Sequence, residues 1–474
     1  MRTRPPRGYL LLLGLVFGAI FLTVLGSLAS FVLTENRLQN VSTERARAFS
    51  LAEAGLEYYR WFLAHYPGNL TNGTGVPGPY VLSYNDPEGG TAGTVTLAVT
   101  GNLACGQVTS IDLASTGQPT GSNVSRTISV RYTRPTVGQY SYILNDTVWA
   151  GSDRVISGPY HSNGGVRMDG TANAPVTSSL SSWLCTSSFG CSPNSTEDGV
   201  FGAGPNQTLW SYPTPQVNFA GIAADFSALK TAAQTQSMLY FARTSVGSNN
   251  TQANYWNGYR LIFNAAGTVT VRRVTGTTNL TSTALNTAED ALHDRALVTT
   301  DTLVGTYQIP DTCGLIFVED NVWLEGTITK KVTVVAANVV DAGIAPNAYL
   351  KNNIVYQATD GTDGLTVIAE DNVLITPDSP NTMTLNGIFI AQGGAFGRNY
   401  YSGCSASYEP KTTLTIRGTT VSSKRTGTKW MGGCSNYAGY GTRIDAYDRQ
   451  LATNPPPFTP VVSNDYQFVD WREE

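Results

Sequence analysis

The sequence predicts an α+β protein that is mostly β, in which a long N-terminal transmembrane helix precedes a small antiparallel sheet and a parallel β-solenoid that is either inserted or appended. Three observations lead to this prediction. Residues 8–34 carry no charge, and residues 35–66 place apolar side chains at helical spacing. The remaining chain is a succession of short alternating runs that end at Gly, Asn or Pro.

The uncharged segment is 27 residues long, from Gly8 to Thr34. The apolar core of a secretion signal has only about 7–15 residues. A helix of this segment rises roughly 40 Å and can cross a bilayer core of about 30 Å. Arg2, Arg4 and Arg7 precede it, and basic residues favour the cytoplasmic side of a membrane. The sequence therefore predicts a single membrane span with a cytoplasmic N-terminus.

The same helix is predicted to continue beyond the membrane as far as Tyr66. Apolar residues recur at steps of three and four and form one stripe, while Glu53 lies off it. Pro67 and Gly68 then end the helix. The stripe must pack against something outside the membrane, and it consists of Phe49, Ala52, Leu56, Tyr59, Leu63 and Tyr66.

The start of the chain resembles a class III prepilin, because a short basic leader ends in Gly8 and an aromatic residue follows at Tyr9. "AFSLAEAGLEYY" (48–59) is similar to the stretch after the membrane helix of PilX-type minor pilins of type IV pili. The resemblance implies that a prepilin peptidase cuts between Gly8 and Tyr9 and that Tyr9 becomes the N-methylated first residue. It also implies that the helix packs among other pilins and minor pilins, through residues that include Leu13, Phe49, Ala52, Glu53 and Leu56.

One departure from the major pilins concerns position in the filament. They carry a Glu five residues into the mature chain, where this sequence has Leu13. In the family that Glu pairs with a neighbour's amino terminus, so its absence resembles minor pilins and K-type pseudopilins at a filament tip. The resemblance implies a protein of the bacterial inner membrane that later joins an extracellular pilus. A membrane-anchored adhesin that never enters a pilus and a K-type pseudopilin of type II secretion remain alternatives.

The domain organisation follows from these signals. Three strand candidates after the helix (94–101, 110–118 and 126–135) predict a sheet that covers the apolar stripe. The predicted map is a basic leader (1–8), the helix (9–66), a pilin-like sheet (67–136), a β-solenoid head (137–445) with a helical excursion near 215–243, and a Pro-rich turn with a C-terminal strand that returns to the sheet (446–474).

An internal echo favours the solenoid. "GLIFVEDNVWLEGTI" (314–328) is repeated as "GLTVIAEDNVLITPD" (364–378), with Glu319 and Glu370 at equivalent places, 51 residues apart. Strand, turn and strand repeat together, as in the stacked coils of a parallel solenoid, and the offset would be two or more coils. The alternative is a large β-sandwich.

The chain has six cysteines and no C-x-x-C motif, so zinc is not indicated. An even number outside the membrane favours disulfides over free buried thiols, although six cysteines allow 15 pairings. Closeness in sequence favours Cys185 with Cys191, similar Gly- and Tyr-rich loops favour Cys404 with Cys434, and Cys105 and Cys313 remain.

The sequence has no catalytic signature, and we expect no enzyme activity, cofactor or metal. The three histidines have structural explanations: His65 caps the helix, His161 bonds within a Gly-rich turn, and His293 lies in an acidic, solvated run. Turn chemistry also accounts for "DGTDG" (360–364), which lacks the spacing of calcium loops.

DNA or a surface ligand is the expected partner of the head. Basic and aromatic residues cluster at three places and could contact phosphates along one edge of a solenoid. The alternative is scattered solubilising charge, which the net charge of −4 favours. Sequons at Asn123, Asn145 and Asn206 leave a eukaryotic type II glycoprotein as a further alternative. The candidate nucleic-acid contacts are Arg272, Arg273, Lys330, Lys331, Lys424, Arg425, Lys429 and Trp430.

Overall fold

A computed structural model describes residues 9–235, 238–244, 257–280, 282–283, 294–311, 313–341, 343–401, 408–431 and 437–474. The predicted leader with Gly8, the predicted pair Cys404 and Cys434, and His293 lie outside the described residues. The chain forms two compact units. The first comprises Met1–Asn102, Ser110–Thr133 and Tyr466–Glu474, and the second comprises Leu103–Thr109 and Arg134–Asp465.

The first half of the chain holds one α-helix and fifteen strands among the described residues. It begins with α1 (Tyr9–His65), β1 (Tyr80–Asn85), β2 (Thr91–Ala104), β3 (Gln107–Pro119) and β4 (Arg126–Thr133). The next strands are β5 (Tyr142–Leu144), β6 (Val148–Ala150), β7 (Arg154–Ser157), β8 (Tyr160–Ser162), β9 (Val166–Met168), β10 (Thr171–Ala172), β11 (Val176–Ser178), β12 (Ser182–Cys185), β13 (Ser195–Asp198), β14 (Val200–Phe201) and β15 (Trp210–Ser211).

The second half of the chain opens with α2 (Phe226–Thr235), β16 (Leu239–Phe241), β17 (Gly258–Asn264), β18 (Thr268–Leu280), β19 (Ser282–Thr283), β20 (Asp294–Gln308), β21 (Gly314–Val318), β22 (Asn321–Ile328), β23 (Lys331–Ala336) and β24 (Ala348–Tyr356). It continues with β25 (Gly364–Ala369), β26 (Val373–Ile375), β27 (Thr382–Ala391), β28 (Phe396–Gly397), β29 (Tyr400–Tyr401), β30 (Lys411–Ser422), β31 (Lys429–Met431), β32 (Tyr437–Ala446), α3 (Arg449–Thr453) and β33 (Gln467–Glu473).

The first unit is a helix on a five-stranded sheet of order β1-β2-β3-β4-β33. The pairings β1–β2, β3–β4 and β4–β33 are antiparallel. The last strand of the chain therefore completes the sheet that the first strands begin, as the sequence predicts. Because β4 ends at Thr133 and β33 begins at Gln467, the bulk of the second unit is an insertion in the chain rather than an appendage.

The second unit is built mainly from parallel strand pairs, which form three long ladders. The first ladder runs β16-β21-β23-β25-β27-β30-β5-β8-β11-β15. The second ladder runs β17-β22-β24-β26-β28, and the third runs β24-β27-β30-β32-β7-β10. Successive strands of the chain pass through the three ladders in the same order. The inward apolar side chains of residues 241–440 form one core, and those of residues 142–200 form a second.

Long strands change ladder at a corner, where glycine is needed. β27 and β30 each turn from the third ladder to the first at Gly387 and Gly418, with φ of 149° and 137°. These two glycines are register partners, and a Cβ on Gly418 would lie 2.0 Å from the carbonyl oxygen of Gly387. Only glycine combines this backbone conformation with such a close approach of two strands.

Asparagines hold a second corner. The Oδ1 of Asn321 accepts from the backbone N–H of Asn347 at 2.9 Å, and the Oδ1 of Asn347 accepts from that of Asn372 at 3.1 Å. The Oδ1 of Asn372 then accepts from the N–H of Ala395 at 2.8 Å. The echoed acidic-Asp-Asn-Val motif is therefore two steps of one ladder apart, with Asn347 between.

Strand order in the ladders differs from chain order. β5 pairs with β30 and β7 pairs with β32, so the strands of residues 142–211 continue the ladders beyond the last strands of the unit. The chain then crosses to the opposite ladder end, where β16 pairs with β21. This crossing segment packs along the outside of the first ladder, where Ile222, Leu229 and Ala233 are buried.

Two predicted boundaries need correction. The helical excursion predicted near 215–243 is helical only over Phe226–Thr235, because Asn218 and Gly221 form a turn before it and β16 follows it. Residues 446–465 belong to the second unit and not to the returning strand. They pack on the first ladder, where Leu451 is buried and the hydroxyls of Thr459 and Thr366 are 2.7 Å apart.

Candidate functional site

The first half of α1 is an apolar surface without packing partners in the structure. It is the one described helix that is long and apolar enough to cross a membrane, and its most apolar window has a mean hydropathy of 2.5 and no burial. Tyr9 is 74% exposed and Leu13 is 44% exposed. Such a surface is stable only in lipid or against other apolar helices.

The second half of α1 packs on the sheet of the first unit. Ala52 and Leu56, both predicted to face the sheet, are buried, and Glu53 is exposed as predicted. Phe49 is half-buried at the border, with its ring centroid 6.3 Å from that of Trp471. The buried face consists of Ala48, Leu51, Ala52, Gly55, Leu56, Tyr59, Phe62 and Leu63.

Tyr66 does not belong to this face, and its assignment to the stripe was wrong. It is 55% exposed and directly follows His65, the last residue of the helix. His65 lies where the sequence places it, at the helix end, with its Nδ1 2.8 Å from the carbonyl oxygen of Trp61. Its bond occupies one of the last carbonyls of the helix.

The helix and the sheet approach each other closely through glycine. A Cβ on Gly117 would lie 2.2 Å from the carbonyl oxygen of Ala48 and 2.6 Å from the nitrogen of Ala52. A Cβ on Gly55 of the helix would lie 2.4 Å from both Ser115 Oγ and Val95 Cγ1. Sequence reasoning missed these positions, although a glycine inside a strand pattern is a known sign of close backbone approach.

Hydroxyl groups of the sheet also bind the helix backbone. Ser115 Oγ donates to the carbonyl of Ala52, and Tyr132 Oη donates to that of Leu56, both at 2.8 Å. Tyr84 Oη donates to the carbonyl of Ala54 at 2.8 Å. Burial raises the pKa of Tyr132 and of Tyr84, so both hydroxyls remain protonated donors at physiological pH. These bonds fix the rotation and the height of the helix on its sheet.

Two disulfides are present among the described residues, and both are pairs that the sequence favours. Cys185 is bonded to Cys191 and Cys105 to Cys313. The first closes a loop of six residues, whereas the second joins positions 208 residues apart. Cys313 and Met238 lie in one buried cluster beside α2.

The eight predicted nucleic-acid contacts do not form one basic edge. They lie on β18, at the start of β23 and the turn before it, and between β30 and β31 or on β31 itself. Arg272 is paired with Asp301 at 2.7 Å, Lys330 with Asp311 at 2.6 Å and Lys429 with Asp153 at 3.4 Å.

The other five predicted contacts have individual surroundings. Arg425 lies over the ring of Phe189, 4.3 Å from its centroid. Trp430 donates its indole N–H to the carbonyl of Arg398 at 3.0 Å. Burial lowers the pKa of Lys331 to about 8. Arg273 and Lys424 are exposed.

The histidine and carboxylate candidates have structural partners. His161 is buried, with Nδ1 2.8 Å from Thr177 Oγ1 and Nε2 3.0 Å from Asn163 Oδ1. Burial lowers the pKa of His161, so it is neutral at physiological pH. In "DGTDG", the Oδ1 of Asp360 accepts from the N–H of Thr362, and the Oδ2 of Asp363 accepts from that of Ala358. These bonds are the turn chemistry that the sequence indicates.

Comparison with known proteins finds similarity to solved structures but no match in sequence. No family model matches the chain, and no curated protein matches it. The competence-associated pilin ComZ from Thermus thermophilus is similar over 91% of this chain and 98% of its own, with 13% sequence identity and a TM-score of 0.30. At this score the similarity assigns neither a family nor a function to the chain.

Proposed function

We propose that this chain is a minor pilin-like subunit of a bacterial type IV pilus, located at or near the filament tip. Its second unit would be a β-solenoid head that serves adhesion or DNA capture, and its helix would help the pilus assemble. Before assembly the protein would stay in the inner membrane, with its N-terminus in the cytoplasm, until a prepilin peptidase removes the leader.

The observation that carries the proposal is the division of α1 into two halves. One half is apolar and unpacked, and the other is clamped to a sheet by close glycine contacts and three hydroxyl bonds. A helix of this kind can leave lipid for a bundle of similar helices, because both surroundings are equally apolar. The rigid second half would then fix the direction in which the folded part points.

The solenoid assignment is supported by the ladders. Strands return to the same three ladders in the same order, corners are occupied by stacked glycine and asparagine, and the inward apolar side chains form two cores along the ladders. This is the arrangement expected of coils that contact only their neighbours. The tip location is supported by Leu13, which stands where the major pilins carry the Glu that pairs with a neighbour's amino terminus. A subunit at the tip has no neighbour above it and would not need that Glu.

Processing of the N-terminus tests the pilus proposal. Mass spectrometry of the protein from its native host should find a chain that begins with N-methylated Tyr9. The Gly8→Val variant should retain its leader and be absent from sheared filaments, while staying in the membrane fraction. A native chain that keeps its leader would instead indicate a permanently anchored adhesin and would overturn the proposal.

Tip location and ligand need separate tests. Gold-labelled antibodies against the second unit should mark one end of isolated filaments, and labelling along the shaft would contradict a tip subunit. For DNA capture, gel-shift titrations of the full chain should weaken as salt rises, because phosphate contacts release counterions. Binding without such a salt dependence would argue against a phosphate-contacting head.

A further inference from the structure

The three ladders of the second unit differ in what covers their outer faces. Ile222 and Leu451 pack on the outside of the first ladder. On the second ladder Trp323 is fully buried, and its indole N–H donates to the carbonyl of Ala296 in β20 at 2.7 Å. On the third ladder, by contrast, Val155 is 45% exposed and Ile444 is 39% exposed. The third face is therefore open to solvent where the other two are buried.

The open face carries threonines in register. Along each strand the side chains alternate, so Met383, Leu385, Leu414 and Ile416 enter the core. Neighbouring strands of a sheet lie about 4.8 Å apart, and alternate residues lie about 6.7 Å apart along a strand. The outward residues thus form a flat grid, whose first row is Thr382, Thr413 and Thr442 and whose second row is Thr384, Thr415, Ile444, Val155 and Thr171.

The hydroxyls of this grid are unused. Within the described chain, none of its threonine side chains has a hydrogen-bond partner. The outward threonines of the first ladder behave differently. Thr333 donates to the carbonyl of Pro457, Thr366 bonds to Thr459, and Thr419 donates to the carbonyl of Tyr140 at 2.6 Å. Equivalent hydroxyls therefore bind a covering segment on one face and remain available on the other.

A polar cleft of about 590 Å³ adjoins the grid. The third row of outward residues, Asn386, Arg417, Ala446 and Ser157, leads into it. The charge of Arg417 is neutralised by buried Asp448, 3.1 Å away. The cleft volume is in the range of small-ligand sites, about 300–1,000 Å³. Its walls include Ser157, Asn173, Arg417, Tyr447, Arg449 and Gln450.

We infer that the third-ladder face and its cleft bind a neutral polysaccharide chain. The first two rows of the grid carry no charged side chain, so they offer nothing to the phosphates of a nucleic acid and little to a charged peptide. Its hydroxyls can donate to and accept from sugar hydroxyls, and Val155, Ile444 and Tyr447 supply apolar contacts for the C–H faces of sugar rings. The inference names a ligand class for the adhesion part of the proposed function. Its biological role rests on the proposed function, whereas the binding itself does not.

Affinity electrophoresis of the full chain in detergent micelles tests the inference. Native gels would contain hydroxyethylcellulose, dextran or galactomannan, and parallel gels would contain polygalacturonate or duplex DNA. We expect at least one neutral polysaccharide to retard the wild-type chain. The double variant Thr384→Lys/Thr415→Lys should bind it about tenfold more weakly, because two hydrogen bonds are lost and the grid is obstructed.

Matched variants separate binding from folding. Thr302→Lys, at an exposed position of β20, should bind like the wild type. The double variant Thr384→Ser/Thr415→Ser keeps both hydroxyls and should retain binding within about threefold, whereas Thr384→Val/Thr415→Val should lose it. Thermal unfolding of each variant should match the wild type, since substitutions at exposed positions usually change stability little.

The outcomes decide the inference. Wild-type chain that no neutral polysaccharide retards would overturn it, as would lysine variants that fold and bind unchanged. A different result is retardation of the chain by DNA and by no polysaccharide, with the lysine variants retarded equally. This result would mean that the head binds nucleic acid, and it would also overturn the inference. If the chain binds polysaccharide but its native N-terminus is unprocessed, this inference holds and the proposed incorporation into a pilus fails. Failure of the inference and failure of the proposed function are therefore distinguishable.

Discussion

The two units of this protein hold themselves together in opposite ways. In the first unit one helix packs on one sheet through a few very close contacts at glycine. At Gly117, for example, even a Cβ atom would overlap the backbone of Ala48. In the second unit each strand repeats the contacts of its neighbours, and the core residues are spread over all the ladders. A single substitution should therefore damage the first unit severely and the second unit only locally.

The largest effect is expected at the helix–sheet contact. Gly117→Val would place atoms within the backbone of α1, which cannot move aside as a side chain can. We expect destabilisation of the first unit by more than about 4 kcal/mol, among the exceptional values for single substitutions. Thermal unfolding and limited proteolysis of the detergent-solubilised chain would show it.

Ala98→Val is the matched control for this substitution, because Ala98 is exposed on the opposite face of the same sheet. It should leave stability unchanged or slightly raised, since valine favours strands. Equal damage by both variants would break the comparison, because it would mean that the sheet itself, and not the helix contact, is sensitive.

The next effect concerns the long-range cross-link within the second unit. Replacing Cys105 and Cys313 together by Ser should cost about 5 kcal/mol in a chain-entropy model, since the disulfide closes a long loop in the unfolded chain. The same change at Cys185 and Cys191, six residues apart, should cost about 3 kcal/mol less in a chain-entropy model. Urea unfolding of both variants measures the difference, and equal losses would contradict the entropic explanation.

A smaller effect is expected in the asparagine corner. Asn347→Ala leaves the N–H of Asn372 without its acceptor, at a cost of about 1–2 kcal/mol. Asn381→Ala, at an exposed position, is the control and should be neutral. Replacing Asn321, Asn347 and Asn372 together should cost less than the sum of the single losses, because the three form one connected network that each single change already disrupts. Strict additivity would argue that the repeats do not support one another.

The smallest effect is a pH dependence from His161. Burial lowers the pKa of the folded-state imidazole, so the unfolded chain binds the proton more readily. The resulting stability is complete above the ordinary histidine pKa of about 6.5 and is lost as the pH falls below it. Thermal unfolding at about pH 7.5 and about pH 5.5 should therefore show a larger drop for the wild type than for His161→Gln. An equal drop in unfolding temperature for the wild type and His161→Gln would mean that other groups cause the pH dependence.

The sequence pattern predicted the structure well where a feature depends only on residues that are near one another in the chain. The helix ends within one residue of its predicted end, because proline and glycine stop it whatever lies nearby. Cys185 and Cys191, which are six residues apart, are bonded as their closeness in sequence predicts. The echoed acidic-Asp-Asn-Val motif marked a true structural period, because asparagine side chains must meet a backbone N–H at each step.

Local pattern was a poor guide where distant segments meet. The spacing of Phe219 and Ile222 is helical, yet these residues lie in a turn before α2, because packing on the first ladder decides their conformation. The predicted basic edge is not formed, because Arg272, Lys330 and Lys429 each have a carboxylate partner from another part of the chain. Sequence alone does not show which charges will be neutralised in this way.

By itself, the sequence determined the membrane-length helix, the change in its character near residue 35, the local pair Cys185–Cys191 and the repeating strand pattern, because each depends on residues that are near in the chain or on composition. Only the tertiary structure decided that residues 142–211 continue the ladders beyond β30 and β32, and that two outer faces are covered while the third is open. The alternation of threonine and aliphatic residues is the same in strands of the covered faces and of the open face, so the pattern does not distinguish them. Whether a face is buried depends on which distant segment crosses it, and that is settled only when the whole chain packs.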